Sequence, residues 1–454
     1  MKVIVIGSGL SALGAIIALR NRGIKPVVID IASNHKESAS SVKNALKETV
    51  IYNKADPKLQ TSRQKGGFSD IWSASILCPP ACDLKGWDIE TLPLAEDYKE
   101  CTAGIFYTAA NDDLNDSFKH PNPPNKKPPE DDAAEYLISK LKPAIYRAHY
   151  SASIGRARQL INYEKNEIFS SKQKIESMQR KNEITYIADS NVQNIFEKNN
   201  MVYVDFICNG KEQTLEGSSA FIATGAVNTT KILAKFCDLC DTDLHLRYAD
   251  SFILPFFVSK HFKYEEKIIL SSIFLELMDS EQSGTYSHIQ ISKPNEVILE
   301  LLKYNQLPHF IKKSIKYGLG YVYTALCTNH SNISGSYQIS VGSSDAHNDL
   351  LIQNNKKLLE QKRILKKVSK LLNLAGGYNL PMLSKNFETH FYIGGSFPMT
   401  KTPINANDTD ILGRPKGAKK VYAVDASIFP SIPATTVGLI AMANAHRIAR
   451  SAEL

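Results

Sequence analysis

The sequence predicts an α/β fold, in which a parallel sheet is combined with a second, α+β part that contains an antiparallel sheet. In three places a short apolar run leads through a turn into a helical pattern, at residues 3–19, 219–236 and 421–448. Such strand–turn–helix units build parallel sheets. Between the last two units, strand-like runs follow one another with one helix among them, which predicts the antiparallel sheet. These runs are 252–258, 286–291 and 334–341.

The first unit has the features of a phosphate-binding turn. The apolar run Val3–Ile6 leads into residues 7–12, GSGLSA, and then into helical spacing. Gly7 permits a tight turn, Gly9 lets the backbone approach a pyrophosphate, and Ala12 lets the helix pack close to the strand. The amino terminus of the helix adds free N–H groups and a partial positive charge. A nucleotide pyrophosphate therefore fits this turn.

A second apolar strand completes the unit. Residues 26–29 read PVVI and are followed by Asp30, whose carboxylate can accept hydrogen bonds from an adenosine ribose. The whole unit spans about thirty residues, the size of a βαβ start. The sequence therefore predicts a Rossmann-type dinucleotide-binding fold. The motif alone does not choose between NAD and FAD.

Length and composition argue against several other classes of protein. A chain of 454 residues exceeds what one hydrophobic core supports, so we expect two connected domains. The net charge of +8 is spread without a long basic block, which argues against nucleic-acid binding. Seven cysteines are too few and odd in number for a disulfide framework. The early first strand leaves no room for a signal peptide, and no apolar run could span a bilayer. These observations favour a cytoplasmic protein.

Four segments together resemble the GMC (glucose–methanol–choline) family of FAD oxidoreductases, in particular its pyranose 2-oxidase-like branch. They are residues 7–30, GGFSDIW at 66–72, ATGAVNTTKIL at 223–233, and 390–447, which includes VYAVDASIFP at 421–430. The resemblance implies a discontinuous FAD-binding domain made of both chain ends and the middle. The implied bounds are 1–78, 150–236 and 388–454 for this domain, and 79–149 and 237–387 for the α+β substrate domain.

The resemblance also implies which residues bind FAD, and it implies no metal site. The predicted cofactor-binding residues are Gly7, Gly9, Leu10, Ser11, Ala12, Asp30, Gly66, Gly67, Ser69, Val192, Ala223, Thr224, Gly225, Asp425, Ala426, Thr436 and Val437. Asp425 ends a strand and could accept a hydrogen bond from the ribityl or pyrophosphate side of the cofactor. Covalent attachment in some relatives needs a histidine in the glycine loop. Residues 66–72 contain none, so we expect dissociable FAD.

The predicted reaction is oxidation of an alcohol or sugar-type hydroxyl by hydride transfer to the flavin. His390, in THFYIGGSFPM, resembles the active-site histidine of the family and is predicted to be the base. The family motif H-x-x-G-T-x-x-M is one residue shorter and has Thr where this chain has Ser. The family's second partner, His or Asn, is replaced here by Thr436, which can donate a hydrogen bond but cannot act as a base.

Two alternative readings of the reaction stay open. The first is a flavoprotein isomerase or reductase on the same fold, in which reduced flavin acts without net oxidation. The second is a flavin-binding partner protein with a degenerate site, which the missing His or Asn partner favours. The sequence leaves open whether oxygen or another acceptor reoxidises the flavin. It also leaves open whether the substrate is free or linked to a nucleotide or lipid.

Two further features carry weaker hypotheses. Cys237 and Cys240 have the spacing of metal or redox cysteines, although a single such pair more often consists of two structural thiols. Residues 296–317 combine an apolar pattern with four lysines, which is compatible with peripheral contact to a membrane. A helix packed on the substrate domain with a solvated lysine face explains that segment better, and we expect this simpler arrangement.

Overall fold

The computed structural model describes residues 2–33, 50–51, 59–89, 91–263, 271–279, 283–294, 308, 316–342, 350–355, 358–379, 384–386 and 390–454. The α-helices of this part of the chain are α1 Leu10–Asn21, α2 Thr91–Thr102, α3 Leu114–Ser117, α4 Asp132–Ala148, α5 Ser171–Arg180, α6 Ala226–Phe236, α7 Leu358–Leu374 and α8 Val437–Ser451.

The strands of the same residues are β1 Val3–Ile6, β2 Val27–Ile29, β3 Val50–Ile51, β4 Gln60–Thr61, β5 Ala152–Arg156, β6 Ile161–Asn162, β7 Glu167–Ile168, β8 Thr185–Ile187, β9 Ser190–Lys198, β10 Met201–Cys208, β11 Lys211–Gly217, β12 Ser219–Ile222, β13 Leu244–Tyr248, β14 Ser251–Phe257, β15 Ile273–Met278, β16 Tyr286–Ser292, β17 Val322–Asn329, β18 Ser336–Val341, β19 Leu350–Asn355, β20 Tyr378–Asn379, β21 Lys385–Asn386, β22 Ile393–Gly394 and β23 Val421–Ala423.

A five-stranded parallel sheet joins the two ends of the chain to its middle. Its order is β23-β12-β1-β2-β8, and each neighbouring pair is parallel. Every residue of β1 and β12 is buried, as expected for a sheet covered on both faces. Helices α1 and α8 pack against each other so closely that a Cβ on Gly14 would overlap the carbonyl oxygen of Met442. The carboxyl-terminal helix is therefore built into the amino-terminal unit.

The described residues contain three larger antiparallel sheets and two small ones, β3-β4 and β6-β7, of two strands each. The largest has seven strands in the order β20-β14-β17-β16-β15-β5, with β21 also paired to β14. One face of this sheet packs on helices α4 and α7. The core between them includes Leu141, Leu254, Leu275, Ile364 and Leu371. The other two larger sheets are a four-stranded sheet, β19-β18-β13-β22, and a meander, β11-β10-β9. The predicted α/β class with parallel and antiparallel sheets is confirmed.

The cores of the two parts meet along residues 74–118. Apolar side chains between Leu84 and Ala109 share the core of the parallel sheet, although the prediction assigns this range to the substrate domain. A smaller group, which we call the Leu77 cluster, lies against the opposite face of the seven-stranded sheet. It consists of Leu77, Leu114, Phe118, Ala157, Phe274 and Tyr286. The segment around Leu77 thus connects the two parts of the molecule.

The local sequence pattern predicts a helix from about 156 to 175, and the structure shows that this prediction is wrong. Residues up to Arg156 form β5, which pairs with β15, and two short strands follow before the helix begins. Helix α5 begins only at Ser171, because Ser170 and Gln173 form a capping box there. Pairing with a strand more than a hundred residues away determines the conformation of β5, and no local pattern reports such a partner.

Asp83, in the segment near Leu77, makes stability depend on pH. Its carboxylate accepts the N–H of Tyr286 at 2.9 Å, and burial raises its pKa to about 7 from 3.8, with the charge of Glu276 adding to the rise. Because the folded chain then holds the proton more tightly than the unfolded chain, stability falls as the pH rises from about 4 to about 7.

The variant Asp83→Asn tests this dependence. The amide oxygen can still accept the N–H of Tyr286 but the group cannot ionise. We expect the variant to gain stability over the wild type as the pH rises to 7, by up to about 4 kcal/mol at roughly 1.4 kcal/mol per pKa unit. Urea unfolding at a series of pH values measures the difference. Parallel stability curves for the two proteins between pH 4 and pH 8 would contradict the assignment.

Candidate functional site

A cleft of about 460 Å³ lies at the carboxyl edge of the parallel sheet. The turns that follow β1, β2, β12 and β23 line it, together with the first turns of α1, α6 and α8. Strands β1 and β12 are neighbours, yet the chain leaves β1 toward β2 on one side, while β23 flanks β12 on the other. Ligands of open α/β sheets bind at such a switch point, beyond the carboxyl ends of the strands.

The turn after β1 leaves space where a phosphate would approach. Gly7 has φ +105°, and a Cβ there would overlap the carbonyl oxygen of Ala223, so the turn requires glycine. Gly9 precedes α1, and a Cβ on it would meet no atom within 4 Å. The first N–H groups of a helix have no acceptor within the helix. They are therefore available to an anion that enters the cleft beside Gly9.

The glycine loop at residues 66–69 is tied to this turn by hydroxyl groups. The N–H of Gly66 donates to Ser8 Oγ at 2.8 Å, and Ser69 Oγ donates to the Gly66 carbonyl at 2.7 Å. Ser171, the first residue of α5, donates through Oγ to the Ser8 carbonyl at 2.8 Å. Gly67 and Ser69 line the cleft. The loop is thus held beside the phosphate-binding turn by contacts from three chain segments.

Asp30 lies in the cleft at the end of β2. Its Oδ2 accepts the hydroxyl of Tyr186 at 2.8 Å, and its Oδ1 accepts the N–H of Ala32 at 3.3 Å. Burial raises the pKa of this carboxyl, and hydrogen bonds from Ser8 and Tyr186 oppose the rise. Lys65 lies 4.1 Å from the centre of the Tyr186 ring. A carboxylate offers about four acceptor sites, so beside the bonds from Tyr186, Ala32 and Ser8 the Asp30 carboxylate retains capacity for a ligand hydroxyl.

Asp425 connects two of the turns that line the cleft. Its Oδ2 accepts the N–H of Gly225 at 2.8 Å and the hydroxyl of Thr229, while Oδ1 accepts the N–H of Ser427 at 2.9 Å. Burial raises the pKa of the carboxyl, and these bonds lower it. Most of its acceptor capacity is therefore used inside the protein. Little acceptor capacity therefore remains for the predicted contact of Asp425 with a cofactor.

Sequence reasoning missed the cations of the cleft. Arg63, Lys231 and Lys235 line it, and the two lysines lie on α6. Asn228 and Ile232 of the same helix also line the cleft. Positions 228, 231, 232 and 235 form one face of a helix that begins at the sheet edge. From this spacing the two lysines could have been predicted to line the cleft. The sequence around Arg63 has no comparable spacing pattern that would predict its place in the cleft.

Most predicted cofactor-binding residues lie on the cleft wall. Those that line it are Gly7, Gly9, Leu10, Ser11, Asp30, Gly67, Ser69, Val192, Ala223, Thr224, Gly225, Asp425, Ala426 and Val437. The cleft wall does not include Ala12, Gly66 or Thr436. Ala12 is buried in the core, and Thr436 precedes α8 with its Oγ accepting the N–H of Leu77 at 3.1 Å.

The structure does not bring the ring of His390 to the cleft wall. The imidazole is 3% exposed and is stacked on Tyr248, with ring centres 3.9 Å apart. Its Nδ1 lies 4.0 Å from a carboxylate oxygen of Asp250. The next residue, Phe391, lines the cleft instead. The role of His390 as a base on a ligand in the cleft therefore stays a prediction, and its buried ring is not among the side chains that line the cleft.

The two weaker hypotheses gain no support. Cys237 and Cys240 are half-buried, and burial raises the pKa of the Cys237 thiol to about 12. Within the described residues no group of three His, Cys, Asp or Glu side chains could hold a metal ion. Likewise, none of the helices in the described ranges is long and apolar enough to cross a membrane. The segment 296–317 lies outside the described residues except for positions 308, 316 and 317.

Comparison with known proteins shows a similarity in fold. No family model matches the chain, and no curated protein sequence matches it. Among solved structures it is similar to the crystal structure of pyridoxine 4-oxidase from Mesorbium loti, with a TM-score of 0.70 over 99% of this chain and 98% of that one. The two sequences are 12% identical. At this identity the comparison shows that the chain has the fold of that oxidase.

Proposed function

We propose that this protein is an FAD-dependent oxidoreductase that oxidises a hydroxyl group of a small alcohol or sugar-type substrate. The cleft at the sheet edge carries the proposal. Asp30 and the amino-terminal turns of three helices line this cleft, and the space beside Gly9 is open. The similarity in fold to an oxidase is consistent with this function.

The residues of the cleft fit FAD. The space beside Gly9 and the first turn of α1 would hold the pyrophosphate, and Arg63 would offset its charge. Asp30 would accept from the ribose, and Val192 would pack on the adenine. When bound, FAD supplies the acceptor for a hydride. Among the described residues that line the cleft there is no histidine or cysteine to form a covalent link, so we propose that the cofactor dissociates.

An anaerobic absorbance titration tests the reaction. The purified protein with bound FAD is mixed with a panel of alcohols and sugars, and loss of the flavin band at the visible wavelengths is followed. We expect at least one member to bleach the flavin. Failure of every member to do so, with FAD bound, would exclude oxidation of this substrate class.

The same titration with His390→Ala decides the role of that histidine. Because its ring is buried against Tyr248 and His390 is not among the residues that line the cleft, we expect bleaching at a rate close to that of the wild type. A loss of about 100-fold or more, the scale of acid–base catalysis, with FAD still bound would restore His390 as the base.

A second candidate is a flavin-binding partner protein without alcohol oxidation. Two observations favour it: His390 is not among the residues that line the cleft, and the Thr436 hydroxyl accepts the N–H of Leu77. A flavoprotein isomerase on the same fold would differ again, because it requires prior reduction of the flavin. Activity that appears only after dithionite reduction identifies the isomerase. Bound flavin that no substrate bleaches, together with a stable protein complex, identifies the partner protein.

A further inference from the structure

Two phenylalanine rings form a pair on the wall of the cleft. Phe68 and Phe391 both line it, and their rings stand edge to face, with centres 6.1 Å apart and an angle of 90° between the planes. We call them the aromatic pair. Phe391 is 47% exposed, and among the large apolar side chains that are exposed in the described ranges it alone lines the cleft. An apolar ring is thus open to a molecule that enters the cleft.

The backbone around Phe391 is held on both sides. His390 forms a parallel bridge with Leu59, and the carbonyl of Tyr392 accepts the N–H of Ala249 at 2.9 Å. These contacts fix the point from which the Phe391 side chain extends, while its ring keeps an open side. The exposure of this ring is therefore a feature of the fold of the segment.

Phe68 is held in the glycine loop next to the phosphate-binding turn. It is the second residue of a short 3₁₀ helix, Gly67–Asp70, and its carbonyl accepts the N–H of Ile71 at 3.2 Å. A Cβ on Gly67 would lie 3.5 Å from the Cα of Gly9, so this loop packs directly against the turn. The aromatic pair therefore connects the glycine loop with the segment that precedes β22.

Phe391 and Asp30 reach the cleft from different sides of β1. Asp30 follows β2, whereas the segment of Phe391 leads to Gly394, where a Cβ would overlap the carbonyl oxygen of Ala426, just beyond β23. In the order β23-β12-β1-β2, three strand spacings of about 4.8 Å separate β23 from β2. With the adenosine ribose at Asp30 and the pyrophosphate at the turn after β1, as proposed above, the reacting half of the cofactor lies on the side of Phe391.

The chemistry of the aromatic pair favours one kind of substrate. A sugar has hydroxyl groups on most of its carbons, and a hydroxyl covered by a phenyl ring loses its hydrogen bonds to water without gaining others. An aryl group instead buries apolar area against the rings and can adopt the edge-to-face geometry that aromatic groups prefer. Ile393 and Val437, which also line the cleft, add apolar surface.

We propose that the aromatic pair binds the aryl group of the substrate, so that an aryl alcohol, rather than a sugar, is the substrate of the proposed oxidation. Phe68 and Phe391 are specificity-determining residues, and neither exchanges a proton or an electron with the substrate. This assignment rests on the proposed function of the cleft, since it names the substrate class of the same site.

The test follows anaerobic bleaching of the FAD-loaded protein over a range of benzyl alcohol and D-glucose concentrations. In the wild type we expect benzyl alcohol to reach half of the limiting rate at a concentration at least about 10-fold below that of D-glucose. Phe391→Ala should raise this concentration for benzyl alcohol by about 10-fold and leave the limiting rate and the FAD affinity unchanged, because only binding is lost.

Three further variants complete the comparison. Phe391→Tyr keeps the ring and should restore the wild-type behaviour, whereas Phe391→Leu should not, which preserves the test where Phe391→Ala does not fold. Phe257→Ala is the matched control, because Phe257 is also a partly exposed phenylalanine, at 38%, but lies in β14 outside the cleft wall. It should bleach as the wild type does.

Saturation-transfer NMR with benzamide gives a readout that needs no oxidation, because this aryl compound has no hydroxyl group. We expect the ring protons of benzamide to receive saturation from the wild type and from Phe257→Ala, and clearly less from Phe391→Leu. This measurement also separates the possible failures. Where no alcohol bleaches the flavin, the proposed function ends. A benzamide signal that depends on Phe391 would then still support the aryl site, and its absence would overturn it.

Where bleaching occurs, three results would overturn the assignment and leave the proposed function intact. The first is half-saturation by D-glucose at the same or a lower concentration than by benzyl alcohol. The second is unchanged half-saturation by benzyl alcohol in Phe391→Ala and Phe391→Leu. The third is a loss of FAD affinity in these variants without a change in half-saturation, which would show that the ring packs on the cofactor.

Discussion

Replacing Gly9 with leucine is expected to weaken FAD binding by about 100-fold or more, a loss of about 2.8 kcal/mol at 1.4 kcal/mol per tenfold. A Cβ at this position meets no atom within 4 Å, and its φ of −68° suits any residue, so the chain should fold normally. The side chain would instead extend into the space where the pyrophosphate must approach the backbone. Quenching of flavin fluorescence measures the affinity.

Gly318→Leu is the matched control. Gly318 also has an ordinary φ, −58°, and open space around its Cβ, but it lies outside the cleft wall. We expect this variant to bind FAD as the wild type does. Thermal unfolding of both variants separates a blocked site from a disturbed fold. Wild-type affinity in Gly9→Leu would show that the cofactor does not lie against this turn.

The second large effect concerns Asp425→Ala, which should lower the free energy of unfolding by about 3 kcal/mol, roughly 1 kcal/mol for each lost hydrogen bond. The change leaves the N–H groups of Gly225 and Ser427 and the hydroxyl of Thr229 without their buried acceptor. Because both turns line the cleft, FAD affinity should fall with stability. Denaturation with urea gives the free energy.

Asp410→Ala provides the comparison for Asp425. Asp410 also accepts two backbone N–H groups, those of Leu412 and Arg414, and an Arg414 side-chain bond. Its side chain is 25% exposed, so water can replace those bonds and the loss should be clearly smaller. Equal losses in the two variants would show that burial of the Asp425 network contributes nothing. An unchanged stability in Asp425→Ala would contradict the network itself.

The sequence predicted the parts of the fold whose signals are local. The strand–turn–helix units at residues 3–21 and 219–236 depend on glycine turns, buried runs and helix spacing, all of which lie within a few residues of one another. The acid Asp30 could be placed in the cleft because the carboxyl ends of parallel strands share one edge. Fourteen predicted positions therefore lie along the cleft wall.

Features that depend on distant pairing or side-chain direction could not be predicted. His390 lies in the predicted segment, but its ring is stacked on Tyr248, a residue about 140 positions away, and no local pattern reports that contact. Asp425 matched its motif, yet its carboxylate binds Gly225, two hundred residues away. The buried side chains of Glu276 and His288 meet only because of the register in which β15 pairs with β16. That register could not be read from the two residue types alone.

Direct measurement of bound FAD tests the central claim, that the sheet-edge cleft holds this cofactor without a covalent bond. The purified protein is saturated with FAD, separated from free cofactor and precipitated with acid, and flavin is quantified in the supernatant and in the pellet. We predict one FAD per chain, all of it in the supernatant, and clearly less FAD for Gly9→Leu under the same conditions. A wild-type protein that retains no FAD, or a yellow pellet, would contradict the account.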